Sequence, residues 1–134
     1  MTRGIRLSNP GNIRISKTKW QGEIQPSKDK EFKQFKSMAY GYRAIIRLLQ
    51  NYQKLYHCKT IPDFISRWAP SNENNTTAYI NSVCRQMQIP NTHVIDTNDK
   101  ATMVAFASAI SYQENGVKAN RSDVEKGWDL LLTK

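Results

Sequence analysis

Met103-Val-Ala-Phe-Ala-Ser-Ala-Ile-Ser-Tyr-Gln-Glu-Asn-Gly116 is the stretch around which the chain is organised. Met103, Ala107, Ile110 and Glu114 follow one another at steps of four, three and four, which places them on one face of a helix. That face is apolar until it ends in a carboxylate. Gly116 stands two residues further on, where a left-handed cap commonly closes a helix. The last turn sets Glu114 against the negative end of the helix dipole, and partial burial disfavours its charge as well. Both effects are expected to raise its pKa, as a general acid working near neutral pH requires. The competing expectation is a solvated rim residue, or a partner for a Lys or Arg.

Working outward, four more helices are predicted. Ser37 caps a long one with Ala39, Tyr42, Ile45, Ile46, Leu49, Tyr52 and Tyr56 inward. Thr60 opens the next, with Pro62 tolerated in its first turn, Ile61, Phe64, Ile65 and Trp68 on its apolar face, and Ala69-Pro70 at its end. A polar loop, Ser71 to Thr77, leads into a helix over about 76–88 whose inward stripe is Tyr79, Ile80, Val83 and Met87. The Glu114 helix then runs over about 99–115, capped by Thr97 or Asn98. Ser122 with Glu125 three residues on reads as a capping box for a last helix, with Trp128, Leu131 and Leu132 inward. Before residue 37 the chain is irregular. Asn9-Pro-Gly-Asn12 signals a turn, and Trp20–Ile24 with Phe32–Phe35 predict a small antiparallel hairpin. The expected architecture is one domain over residues 1–134, mainly α (α+β).

Composition narrows the classes of function. An apolar fraction of 39% over 134 residues suits one globular core. No run of about 18 apolar residues exists to span a membrane. The first ten residues hold no apolar signal core, so no secretory signal of its own is expected. Cys58 and Cys84 are expected to be reduced structural thiols, and with only His57 and His93 to assist them, no metal and no cofactor are predicted. A cysteine hydrolase fits poorly, since Cys84 falls inside a helix and Cys58 cannot meet its direct neighbour His57 in the required geometry. The net charge of +9 is lopsided: residues 1–60 hold 13 Lys or Arg against Glu23, Asp29 and Glu31, and residues 61–134 hold 7 against 8 acids. The basic half is expected to face an anionic partner such as cell wall, nucleic acid or lipid.

Two resemblances give the pattern a family. Ala109-Ile-Ser-Tyr-Gln-Glu-Asn115 resembles the segment that carries the catalytic Glu in soluble lytic transglycosylases, which have a lysozyme-like fold. Four ordered motifs extend over nearly the whole chain. They are Arg3-Gly-Ile-Arg6 with Asn9-Pro-Gly-Asn-Ile-Arg14, then Phe35-Lys-Ser-Met-Ala-Tyr-Gly-Tyr-Arg-Ala44, then Arg67-Trp-Ala-Pro70 with Glu73-Asn-Asn-Thr76 and Tyr79-Ile80, and finally Gln113-Glu-Asn-Gly116. Together they are similar to a family of small phage- and prophage-encoded proteins often labelled virion structural proteins. Related domains act on cell walls as muramidases or lytic transglycosylases. The resemblance implies a lysozyme-like helical domain with a small N-terminal hairpin, and cleavage of peptidoglycan glycan strands. Some related domains carry a Glu after the Asn-Pro-Gly-Asn segment, where this chain has Arg14.

Breaking a glycosidic bond needs an acid to protonate the leaving oxygen. A second carboxylate then serves as nucleophile or base unless the substrate's own acetamido group does so. Glu114 is the candidate acid. Glu73, in the polar loop after Trp68, is the candidate second carboxylate or else a helix cap, and Glu23 in the hairpin is the substitute if Arg14 displaced a catalytic position. Asn9, Asn12 and Arg14 are candidates for binding sugar hydroxyls, acetamido groups or a peptide carboxylate, the Asn pair alternatively just holding the turn. Trp68 and Tyr79 are candidates for stacking on sugar faces, or else core. Three functions stay open: a muralytic enzyme, a non-catalytic wall-binding or virion structural domain, and a nucleic-acid module that lacks any recognisable binding motif. The expected partner is peptidoglycan, with no specific nucleic acid, and a monomer is expected. The chain would be made in the cytoplasm and reach the wall through a holin, a virion or a secretion apparatus.

Overall fold

The computed structural model describes residues 1–72 and 74–132. Among the described residues six helices are present: α1 (Arg3–Arg6), α2 (Met38–Tyr56), α3 (Ile61–Trp68), α4 (Thr76–Met87), α5 (Lys100–Asn115) and α6 (Arg121–Leu130). Strands β1 (Glu23–Ile24) and β2 (Gln34–Phe35) form a two-stranded antiparallel sheet, with Glu23 opposite Phe35 and Ile24 opposite Gln34. The protein is therefore mainly helical with a small hairpin near its N-terminus, the expected α+β arrangement. Among the described residues no helix is long and apolar enough to cross a membrane.

The helices form where the apolar spacing lets one stripe meet another. The longest, α2, lies along α6, and α5 packs between α4 and α6. Tyr42, Ile45, Ile46 and Leu49 of α2, Phe64 and Ile65 of α3, Val83 of α4, Met103, Phe106 and Ile110 of α5 and Val124 of α6 close one core. The Phe64 and Phe106 rings meet edge to face at 5.6 Å, the arrangement that aromatic quadrupoles favour. Tyr52 and Ile80, both expected inside, are half-buried at the edge of this core. Tyr56 and Leu132, also expected inward, are exposed: Tyr56 ends α2 with its ring under the Arg67 guanidinium, and Leu132 lies beyond the end of α6. Val124 and Gly127 turn inward on α6.

Helix starts follow side-chain chemistry, in two cases one or two residues away from expectation. Ser37 caps α2 through Tyr40 N–H. At α5 the cap is Asp99, whose carboxylate accepts from both the N–H and the hydroxyl of Thr102, in place of Thr97 or Asn98. At α6 it is Asn120, accepting from Asp123 N–H, in place of Ser122 with Glu125. Glu125 instead lies 3.7 Å from the Arg121 guanidinium. Gly116 ends α5 with φ 71°, the left-handed cap read from the sequence. Cys58 and Cys84 are free and buried, and burial pushes both thiols up, away from the thiolate that a nucleophile requires.

The N-terminal segment has little sheet and one short helix, and a buried ion pair organises it. Lys33 is fully buried between the strands, and its ammonium donates to both oxygens of Glu23 at 3.1 and 3.0 Å. It also donates to the Thr18 and Ser16 carbonyls at 2.7 and 3.4 Å. Glu23 in turn accepts from Trp20 N–H and Gln25. One lysine thus ties the loop over 16–20 to the hairpin. Removing one partner of such a pair strands the other charge, at a cost of about 3–5 kcal/mol. Lys33→Met should therefore lower unfolding free energy in urea by about that amount, and Glu23→Leu added to it should recover most of the loss. A loss below about 1 kcal/mol for Lys33→Met would show that the pair does not hold this segment.

Candidate active site

Glu114 ends up in the last turn of α5, half-buried, with both carboxylate oxygens engaged. Asn12 Nδ2 donates to Oε1 at 2.9 Å, and Tyr79 Oη donates to Oε2 at 2.9 Å. These donors come from the N-terminal turn and from the first turn of α4, so three distant pieces of chain meet at one carboxylate. Beside it opens a cleft of about 290 Å³. Gly11, Asn12, Ile13, Arg14 and Phe32 form one wall, Leu48 and Tyr52 of α2 another, and Trp68, Ala69 and Asn74 a third.

The turn reaches Glu114 because its neighbour in sequence pulls it there. Asn115 is buried, donates to the Pro10 carbonyl at 2.8 Å and to the Ser111 carbonyl at 3.0 Å, and accepts from the Thr2 hydroxyl at 2.7 Å. Asn12 itself adopts φ 51°, a left-handed conformation that Asn tolerates better than most residues. Gly4 makes room for it. A Cβ at Gly4 would sit 2.3 Å from Asn12 Oδ1, 2.7 Å from the Asn9 carbonyl oxygen and 2.8 Å from Asn115 Oδ1. Gly11 does the same on the other side, where a Cβ would meet Ile45 at 2.8 Å and the Trp68 ring at 2.9 Å.

Of the residues singled out from the sequence, Glu114, Asn12, Arg14 and Trp68 come together at this cleft. Arg14 is exposed at its rim, 3.5 Å from Glu31, with its guanidinium 5.3 Å from the Phe32 ring centre. Arg3 covers the same ring at 4.3 Å. Trp68 is half-buried, so part of its ring faces the cleft. Tyr79 has a different role from the stacking platform expected. It is buried, and its hydroxyl supports Glu114 from behind; burial first and the Glu114 charge second push that hydroxyl well above its ordinary pKa, with a hydrogen bond from Trp68 acting the other way.

Besides Tyr79, two candidates are not in the cleft wall. Asn9 is fully buried: it donates to the Ile13 and Lys33 carbonyls at 2.9 and 2.8 Å and accepts from Ile13 N–H at 2.9 Å, so it holds the turn and offers nothing to a ligand. Glu23 is enclosed with Lys33, and an acid that must reach a substrate cannot be sealed inside an ion pair. Glu73 lies outside the described residues; Asn74 beside it lines the cleft. Tyr52, Phe32, Leu48 and Asn74 are lining residues that the sequence reading did not select, and Asn115 and Thr2 are supports it did not select. Tyr52 read as core because its spacing on α2 is that of the apolar stripe. Among the described residues no group of three or more His, Cys, Asp or Glu side chains could hold a metal ion.

Gly4 gives a direct check on this assembly. Gly4→Ala should destabilise the fold by about 1–3 kcal/mol through overpacking, measured by thermal or urea unfolding, and should displace the Asn12 amide from Glu114. An unchanged midpoint would mean that the turn is not held against Gly4.

No family model matches the chain. Over 131 residues it is 37% identical to protein P5 of Pseudoalteromonas phage PM2, an alignment covering 95% of this chain and 80% of that protein. The alignment takes in the N-terminal turn, the cleft and the Glu114 helix alike, and by this measure the chain belongs to the family of bacteriophage PM2 protein P5.

Proposed function

We propose that the protein cleaves the glycan strands of peptidoglycan, with Glu114 as the general acid. The observation that carries this reading is a carboxylate at the wall of an open cleft, with both oxygens oriented by side chains from two other elements. Such orientation is what a proton donor needs if it is to meet one particular leaving oxygen. The cleft's chemistry suits a sugar: Trp68 and Tyr52 offer ring faces, and Asn12, Asn74 and Arg14 offer hydrogen-bonding groups. Glu114 protonates the glycosidic oxygen and the C1–O bond breaks. Water or the sugar's own 6-hydroxyl then attacks C1, giving a reducing end or an anhydro end. Among the described lining residues Glu114 is the single carboxylate. The second role therefore falls to Glu73 or to the substrate's acetamido group. On this reading the protein acts at the bacterial cell wall after delivery by a holin, a virion or a secretion apparatus.

Glu114→Gln keeps the shape and removes the transferable proton. Turnover of purified sacculi, followed by mass spectrometry of the released muropeptides, should fall by roughly 100-fold or more. The thermal midpoint should move little. Near-normal cleavage by Glu114→Gln would place the acid elsewhere.

A second reading, a non-catalytic wall-binding or virion structural domain, is favoured by the concentration of positive charge in residues 1–60. It is separated by the wild-type protein itself: sacculi bound in a salt-sensitive way and left uncut support the binder. Exposed charges are screened over about 10 Å at 0.1 M salt, so binding through them should weaken steeply as salt rises. Tight duplex-DNA binding without action on sacculi would instead indicate the nucleic-acid reading.

A further inference from the structure

The amide of Asn12 faces two unlike surroundings. On one side Nδ2 donates to Glu114 Oε1 at 2.9 Å. On the other, Oδ1 is buried, and among the described residues no donor reaches it. The space it points into is already rich in acceptors. The Asn9 carbonyl and Asn115 Oδ1 both approach the same Gly4 position, at 2.7 and 2.8 Å from where a Cβ would stand, with Asn12 Oδ1 at 2.3 Å. Each of those two oxygens already has one donor, Asn12 N–H for the first and the Thr2 hydroxyl for the second, and each keeps a second lone pair. A buried acceptor facing other acceptors is an unfavourable arrangement, and an amide has a second orientation of nearly identical shape.

What holds the amide in the observed orientation is the charge on Glu114. A carboxylate has only acceptors to offer, so it demands the NH₂ group. Once Glu114 carries a proton, that demand ends. Turned by 180°, Asn12 Oδ1 accepts the Oε1–H proton, and Nδ2 donates into the oxygens around Gly4. The buried position on the Gly4 side is then held by a donor instead of a partnerless acceptor. We propose that Asn12 is a proton-linked positioning residue, whose amide rotates when Glu114 takes up its proton and thereby fixes that proton on Oε1. The other titratable or charged groups around Glu114 are Tyr79 from α4, Tyr52 from α2 and Arg14 from the N-terminal segment, with Glu73 outside the described residues. Tyr79 is the alternative recipient of the proton. Its hydroxyl donates to Oε2, and while it keeps donating there Oε1 is the oxygen left to be protonated.

The linkage is a property of the free protein and stands whether or not the substrate is a glycan, so it is tested without one. In uniformly ¹³C,¹⁵N-labelled protein, the Glu114 carboxyl carbon and the Asn12 side-chain NH₂ should titrate with one midpoint. On the acid side the NH₂ protons should gain nuclear Overhauser contacts to the Gly4 α-protons. NH₂ contacts that stay constant through the Glu114 titration would overturn the proposal. Glu114→Gln avoids the need for low pH: with Tyr79 donating to the Gln oxygen, its NH₂ group faces Asn12. The rotated contacts to Gly4 should then be present at pH 7. If the Glu114→Gln protein keeps the wild-type neutral contacts, the amide does not follow the proton and the proposal fails. In Tyr79→Phe, where Asn12 is the remaining side-chain partner of the acid, the rotation should persist. Its loss there would show that the rotation depends on the Tyr79 hydroxyl and not on the proton at Oε1, and would overturn the proposal.

Discussion

The buried amide of Asn115 is the interaction on which the rest of the site depends. It sits one residue after Glu114 and uses both its donors and its acceptor, gripping the Pro10 carbonyl, the end of α5 and the Thr2 hydroxyl at once. An unpaired buried donor or acceptor costs about 1–3 kcal/mol, so three satisfied contacts on one side chain strongly select this arrangement over near alternatives. Register follows directly: with Pro10 fixed, Asn12 can place its amide only where Glu114 already is. The local sequence Glu114-Asn115 is thus a candidate acid followed by its own anchor, and the cleft inherits its precision from the anchor.

The N-terminal segment meets this anchor with a second one. Asn9 donates to the Lys33 carbonyl, and the Lys33 ammonium is enclosed with Glu23. The turn, the loop over 16–20 and the hairpin therefore form a single hydrogen-bonded body although they hold little regular structure. Phe32, adjacent to Lys33, is carried by that body into the cleft wall. A charge pair sealed in this way contributes specificity of placement more than net stability, because desolvation offsets much of the attraction.

Much of the helical frame was legible because it is set by period and punctuation. Steps of three and four in apolar residues, Ser37 as a cap, Ala69-Pro70 as a stop and Gly116 as a left-handed end are all local signals. Caps at Asp99 and Asn120 were misplaced because several polar residues in a row can each cap, and tertiary packing decides among them. The site was half legible. Glu114 could be found because it interrupts an apolar stripe. Tyr79 could not be given its role, since a Tyr on an inward stripe reads the same whether its hydroxyl is idle or bound to a carboxylate 35 residues away. Glu23 misled for the opposite reason: nothing near it in sequence shows that Lys33, across the hairpin, would enclose it.

The charge asymmetry gains a physical meaning once the cleft is placed. The basic segment is the one that forms the cleft's first wall, so the positive surface and the candidate acid are neighbours in space although far apart in sequence. At the rim, Arg3 and Arg14 are partly balanced by Asp29 and Glu31 and are laid over the Phe32 ring, which holds them in place. Lys17, Lys19, Lys28, Lys30 and Lys36 are exposed on the same segment. Ion pairs of the rim kind add little to stability, but they fix direction, whereas the exposed lysines add long-range attraction that salt can screen. On the proposed reading, the two kinds of charge would divide the work of engaging an anionic polymer. Exposed lysines would gather it nonspecifically, and the oriented arginines would align it along the wall that ends at Glu114.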